Sequence, residues 1–483
     1  MRWQQWQGYV QDDYKITQRL TFNLGLRYEY NAQPVDLNNR QGMFDRTSGQ
    51  YVWAGMNPVT GQAPNVRRSV RDPDWNNFAP RFGFAYQLEP KTTVRGGYGI
   101  FYATDYLWHV QGIRGQWPYA VSDSLSGEND PLVNKPVETF FDPNLDVTPT
   151  SKPAGIFSLG RTDRSGYTQH WNLGVQRQLA RDLLLEVGYV GTRGAKMATF
   201  LSTNTAQPGP GVIGSPEHPR PFPAADTLAE GDNLATSIYH SAQVKLEKRF
   251  SNGLQFLGSY TWSHYIDTAA GGPGGTAVQS EYNLRADRAS GIYDFRHIFT
   301  GSYFYQLPFG RGKRFLSDAG SIVNGLAGGW EITGVTHYNT GPPVNVGLTI
   351  DNANVGGGAQ RPNRLLGQPA RVTVPGDPTQ GWLNPAAFQQ PVSFTFGNLG
   401  RDTERGPGFG DWDLGFFKNF PLHGEHSTLQ FRSEFFNLFN HTNLGTPSSA
   451  FCEPIASCNS NFGRISSTAN NSREIQFALK LLF

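Results

Sequence analysis

The chain has 483 residues, 17% of them charged, with 41 Lys+Arg against 39 Asp+Glu and a net charge of +2. That is below the roughly 25% charged residues of a soluble domain, and the balance gives no reason to expect a nucleic-acid partner. Aromatics at 13% argue against disorder, no apolar run approaches the roughly 18 residues of a helical span, and the glycines lack the period of collagen.

What remains is an all-β chain whose polar average hides alternation. Met1 leads almost at once into strand-like sequence, WQQWQGYVQDDYKIT, with no basic n-region, apolar h-region or small-residue cleavage site. That start fits a cytosolic protein or the C-terminal part of a longer chain. Period two then marks strand after strand. In 20–28, Leu20, Phe22, Leu24, Leu26 and Tyr28 alternate with Thr21, Asn23, Gly25 and Arg27. In 78–88, Phe78, Pro80, Phe82, Phe84, Tyr86 and Leu88 alternate with Ala79, Arg81, Gly83, Ala85 and Gln87. Similar stretches lie at 5–14, 93–102, 168–178, 183–191, 238–250, 254–265, 295–307, 330–340, 410–420 and 427–438. The last segment sets Ile475, Phe477, Leu479, Leu481 and Phe483 against Glu474, Gln476, Ala478 and Lys480.

This predicts about 13 strands, many longer than the 5–6 residues usual in soluble sheets. Tilted strands of about 9–11 residues match the height of a bilayer's apolar layer. The connections alternate as well. Short ones are expected at 17–19, 89–92, 180–182, 251–253 and 422–426, and long ones at 31–76, 103–167, 192–237, 266–294, 341–409 and 439–472. The link at 308–329 is intermediate and falls where a short one belongs. Short turns at one end and long loops at the other are the layout of an antiparallel transmembrane β-barrel. In lipid every backbone group must be paired, so one face of each strand meets hydrocarbon and the other a wet lumen. Tyr28, Tyr30, Tyr98, Tyr102, Tyr260, Trp262, Tyr303 and Tyr305 fit interfacial girdles.

The chain ends on Phe483 with no polar tail. The pattern Phe477, Leu479, Leu481, Phe483 resembles the C-terminal targeting signal that the barrel-assembly machinery of the bacterial outer membrane reads. The last strand then ends in the periplasm, the tight turns are periplasmic and the long loops extracellular. Bacterial single-chain barrels have even strand numbers. An odd count therefore implies a miscount or strands missing from the N-terminal side.

The run GYVQDDYKITQRLTFNLGLRYEY at 8–30 resembles a mid-barrel hairpin of TonB-dependent receptors. FAPRFGFAYQL with TTVRGGYGIFY (78–102), LEVGYVGTRG (185–194), YTWSHYID (260–267), DFRHIFTGSYFYQLPFGRGKRF (294–315), GWEITGVTHYNTGPP (329–343), RGPGFGDWDLGFFKNF (405–420) and FRSEFFNLFNHTNLGTP (431–447) resemble the Oar-like branch. The resemblance spans nearly all of residues 1–483. It implies the C-terminal part of a 22-stranded barrel, with a plug and an N-terminal domain that this chain does not show, in a receptor powered by the TonB complex.

Cys452 and Cys458, in FCEPIASCN, fall in the last long loop, where an oxidising setting favours a disulfide. Free thiols and a metal pair are the alternatives, with no third or fourth ligand nearby. The histidines are scattered with no HExxH pattern, and no nucleophile elbow, P-loop or EF-hand loop occurs. No metal, cofactor or enzyme activity is expected. Strand parity puts Arg27, Arg81, Arg95, Glu186, Lys245, Glu247, Arg432, Glu434 and Lys480 on the polar face, facing a plug, a passing solute or one another. Trp53, Trp75, Trp108, Trp117 and Trp382 lie in the long loops, as capture groups for a glycan or peptide or as loop packing. The expected function is ligand binding and energised uptake across the outer membrane. A structural or adhesive surface protein and a soluble β-sandwich binding module are the alternatives.

Overall fold

The computed structural model describes residues 1–103, 112–120, 156–268, 278–372, 377, 381–422, 427–454 and 461–483. Thirteen strands follow one antiparallel path in chain order. They are β1 (Gln5–Thr17), β2 (Leu20–Asn31), β3 (Phe78–Glu89), β4 (Thr92–Tyr102), β5 (Tyr167–Ala180), β6 (Leu183–Thr203) and β7 (Leu228–Ser251). β8 (Leu254–Asp267), β9 (His297–Gln306), β10 (Trp330–Asn339), β11 (Phe409–Pro421), β12 (Thr428–Phe436) and β13 (Glu474–Leu482) complete it. Every strand expected from alternation is present, and β1 and β13 are the ends of the path.

The tight turns are set by local chemistry. Asn252 and Gly253 both have positive φ, 50° and 79°, which gives the two-residue turn that matches strand twist. The β1–β2, β3–β4, β5–β6 and β7–β8 hairpins each carry a register shift next to their turn.

Register keeps the two faces separate across the sheet. Leu24 is opposite Phe82, and Phe82 opposite Tyr98. Gly25 is opposite Arg81, and Arg81 opposite Gly99. Asp12, opposite Leu24, is a carboxylate on the otherwise apolar face of β1. Large aromatics on the apolar face lie over glycines of the next strand. A Cβ at Gly191 would meet the Trp171 ring, and one at Gly334 the Tyr303 ring.

Among the described residues, no second layer lies upon the apolar face. Leu173 is 52% exposed, Val187 47% and Phe477 67%. The inner faces of a sandwich would bury such side chains. Among the described residues the buried hydrophobic clusters lie instead in the long connections, reaching the sheet at Leu228, the outer tip of β7, and at Leu159 of the short strand paired with it. One gathers Val344, Val346, Trp382, Leu383, Phe388, Phe451, Phe462 and Ile465. The soluble-sandwich alternative is thereby overturned: the sheet is apolar on the outside, and the packed core sits beyond its rim.

Two strand bounds need correction. β6 and β7 do not stop near 191 and 238. They continue to Thr203 and from Leu228, paired with each other, and β7 also pairs in parallel with Phe157–Leu159. The link at 308–329 is intermediate in length, as expected. It folds around a short helix, α1 (Ser321–Ala327).

Candidate functional site

The site has a polar wall and a loop layer. On the wall, register puts all nine predicted polar residues on one face. Arg27 is opposite Tyr9, Arg95 opposite Ala85 and Gly174, Glu186 opposite Lys245 and Gln176, and Glu247 opposite Leu184 and Leu257. Arg432 is opposite Phe417 and Ala478, Glu434 opposite Gly415 and Gln476, and Lys480 opposite Gln430. Most of these charges have local partners. Arg27 contacts Glu29 at 2.5 Å, Lys245 contacts Glu247 at 3.1 Å and Arg432 contacts Glu434 at 2.9 Å. Glu186 accepts a hydrogen bond of 2.8 Å from the Gln176 amide. Arg81 stands 4.6 Å from the Phe101 ring centroid. Arg95, Gln176, Glu186, Gln243 and Lys245 line a hollow of about 280 Å³. Such partly wet pairs are worth about 0.2–1 kcal/mol each.

The apolar face ends in aromatic belts. Toward the long-loop end, Tyr189 shares a hydrogen bond of 2.6 Å with His240, and Tyr260 one of 2.7 Å with His297. These neighbours satisfy the polar tips of rings whose bodies face outward. Tyr303 and Tyr305 lie toward the tight-turn end of β9.

The loop layer is held by buried ion pairs that sequence reading did not single out. Arg361 contacts Asp287 at 2.6 Å, with both side chains at most 2% exposed. Arg401 pairs with Asp267 and, at 3.0 Å, with Asp402. Arg405 contacts Asp294 at 2.5 Å. Three aspartates around the β8–β9 connection thus each meet an arginine of the β10–β11 connection. On the other side, Arg46 contacts Glu230 at 2.8 Å and Glu281 at 2.6 Å. Three successive long connections enclose a cavity of about 520 Å³ lined by Gln207, Gln279, Tyr282, Asn283, Phe396 and Asn398 among others. No local spacing signals the three cross-connection Arg–Asp pairs, because each joins an arginine of one connection to an aspartate in or beside another.

Three of the five loop tryptophans are buried. Trp53 and Trp117 are each 8% exposed, their rings 5.9 Å apart, and the Trp53 indole donates to the Ala63 carbonyl. Trp382 is also buried, donating to the Arg405 carbonyl at 2.7 Å beneath the Arg371 guanidinium. These three pack the loops. Trp75 is 57% exposed and stacks on Tyr30 at 3.9 Å. Trp108 lies outside the described residues. Cys452 is buried and is not a free thiol, whereas Cys458 lies outside the described residues. Leu479, Leu481, Phe477 and Phe483 are exposed on the apolar face at the β13 edge. Among the described residues, no group of three or more His, Cys, Asp or Glu is placed to hold a metal ion.

A long antiparallel meander with a lipid-type outer face, a polar inner face and its packed core beyond one rim defines an outer-membrane β-barrel protein. The chain belongs to the outer membrane beta barrel domain family, whose model matches residues 1–476. Its place is the bacterial outer membrane. No curated protein matches it. Solved structures similar in fold include the ferric-catecholate import receptor Fiu from E. coli K12 (13% identity, TM-score 0.41), covering 99% of this chain and 44% of that one. The outer membrane transporter YddB from Escherichia coli is similar at 11% identity and TM-score 0.47, covering 99% and 45%. The pyoverdine receptor FpvA from Pseudomonas aeruginosa PAO1 is similar at 11% identity and TM-score 0.46, covering 99% and 42%. The chain spans less than half the length of each.

Proposed function

We propose that this chain is the barrel portion of a TonB-dependent receptor of the Oar-like branch, which captures an extracellular ligand and admits it by energised uptake. The observation that carries this is the loop layer: long connections locked by buried Arg–Asp pairs around a cavity, above a polar-walled sheet. A layer so cross-braced presents a preformed binding surface, because its ordering entropy is spent on folding rather than on capture. In the proposed cycle the loops bind ligand, the plug that the resemblance implies gates the pore, and the TonB complex acts through that plug. A glycan or a peptide fits the amide-rich, aromatic-bearing cavity. The solved neighbours include receptors whose names specify ferric-catecholate and pyoverdine, so ferric chelates belong in any screen.

The test is growth of a strain with the gene deleted, on oligosaccharides, peptides or ferric chelates as limiting nutrient, with and without a working TonB complex. Uptake predicts that one nutrient class fails to support growth in the deletion strain and that loss of TonB has the same effect. If deletion alters adhesion and leaves growth on every nutrient unchanged, the barrel serves only to display its loops. We further propose that Cys452 and Cys458 form a disulfide in the outer loop. Maleimide should label them only after reduction, and labelling of the unreduced protein would refute the bridge.

A further inference from the structure

The connection 308–329 lies at the end of the sheet that carries the tight turns, and its attachment shows which face it covers. Trp330 and Lys418 are opposite one another on the apolar face, in line with Ile332 and Phe416. The Trp330 indole donates to the Leu326 carbonyl at 2.9 Å, and the Lys418 ammonium donates to the Gly328 carbonyl. Two side chains of the lipid-side face therefore hold the C-terminal end of α1 at the rim. The link is internally braced. The Asn324 side-chain oxygen accepts from the Arg311 N–H at 2.7 Å, and the rings of Phe309 and Phe315 lie 5.5 Å apart.

Its outward surface is apolar. Ile322 is 80% exposed, Leu326 73%, and Val323, Phe315 and Leu316 47% each. Beside them stand Arg311, Lys313 and Arg314, against a single acid, Asp318. Exposed aliphatic side chains on a short helix, flanked by cations and continuous with a hydrocarbon-facing surface, are the marks of a segment lying in the plane of a membrane interface.

We infer that residues 308–329 form an interfacial anchor in the periplasmic leaflet, with Ile322, Val323 and Leu326 among the upper acyl carbons and Arg311, Lys313 and Arg314 on anionic phospholipid headgroups. The occupant is lipid because the apolar patch continues the outer face of β10 and β11 and because three cations against one anion complement a negative leaflet. Each basic residue near such a surface contributes about fivefold to partitioning. The anchor rests on the orientation of the barrel and not on what is transported.

The test uses an environment-sensitive dye on Leu326→Cys in protein reconstituted into phosphatidylethanolamine vesicles, with or without phosphatidylglycerol. Emission should shift to the blue, and lipids spin-labelled near the headgroup should quench it. Charge reversal of Arg311, Lys313 and Arg314 should reduce that quenching only when phosphatidylglycerol is present. A dye on Val212→Cys, in an outer loop, should stay accessible to aqueous iodide. If the dye at 326 is quenched by iodide as strongly as the dye at 212, the anchor is refuted. Protection at 326 only in native membranes, never in vesicles, would refute it in favour of a periplasmic protein partner. A dye on Phe82→Cys should be quenched from deep acyl positions. Its failure would instead indict the barrel orientation.

Discussion

Arg81 and Phe82 are adjacent in sequence, yet Arg81 stands over Phe101 on the polar face while Phe82 packs on Phe22, ring centroids 5.5 Å apart, on the other. Phe82→Arg is expected to cost about 2–4 kcal/mol, as for a cation placed near mid-bilayer. Arg81→Phe should cost far less, since a hydrated lumen tolerates either side chain. Urea titrations of the folded barrel in lipid would show this, and equal costs would contradict the face assignment. This part of the molecule was legible because period two is a local property. The exposure of a tryptophan is not. Trp53, Trp117 and Trp382 are buried by residues far away in sequence, and no spacing around them announces it. Arg361 was likewise invisible, because its partner Asp287 lies in a different loop. Removing one member of a buried pair costs about 3–5 kcal/mol. Arg361→Met should therefore loosen the loop layer by about that much, and adding Asp287→Leu should recover part of the loss. Protease resistance of the outer loops is the readout, and unchanged resistance in Arg361→Met would contradict the account.

At the scale of elements, the strands and the alternation of short and long connections read correctly, while two strand ends and the folding inside the connections did not. β6 and β7 run well past their expected ends, where Gly, Ala and Thr blur the alternation while backbone pairing continues. The helix within 308–329 was missed because seven residues that include a glycine give no helical period. The β8–β9 and β10–β11 connections are joined by ion pairs and carry an acid–base signature. Burial pushes the Asp402 carboxyl up to about 6, with Arg401 opposing and Asp267 assisting. Burial would raise Asp294 too, but hydrogen bonds from Arg405, the Tyr265 N–H and His264 prevail and hold it at about 2. Between about pH 6 and 4, folded Asp402 binds a proton that the unfolded chain does not, so stability rises as pH falls. Between about pH 4 and 2 the unfolded chain protonates Asp294 first, and stability is lost. Hydrogen exchange of these loops should thus be slowest relative to the unfolded chain near pH 4–5, and Asp402→Asn should flatten the branch above it. Protection that falls steadily from pH 7 downward would contradict this.

For the whole molecule, strand length and the alternation of short and long connections specified the architecture before any contact was known, because a bilayer fixes both strand height and the end at which loops can grow. The separation of core from sheet is the feature that sequence could not show. Most large apolar residues of the strands face outward, and many of those in the loops gather into the packed clusters. The most direct examination is a nitroxide scan along 78–88 in reconstituted bilayers, comparing collision with oxygen, which concentrates in hydrocarbon, and with a water-soluble nickel complex. Labels at 80, 82, 84 and 86 should favour oxygen, and labels at 81, 83, 85 and 87 should favour nickel, alternating residue by residue. Uniform accessibility along the strand, or labels at 80–86 shielded from both reagents, would contradict a sheet that divides lipid from water.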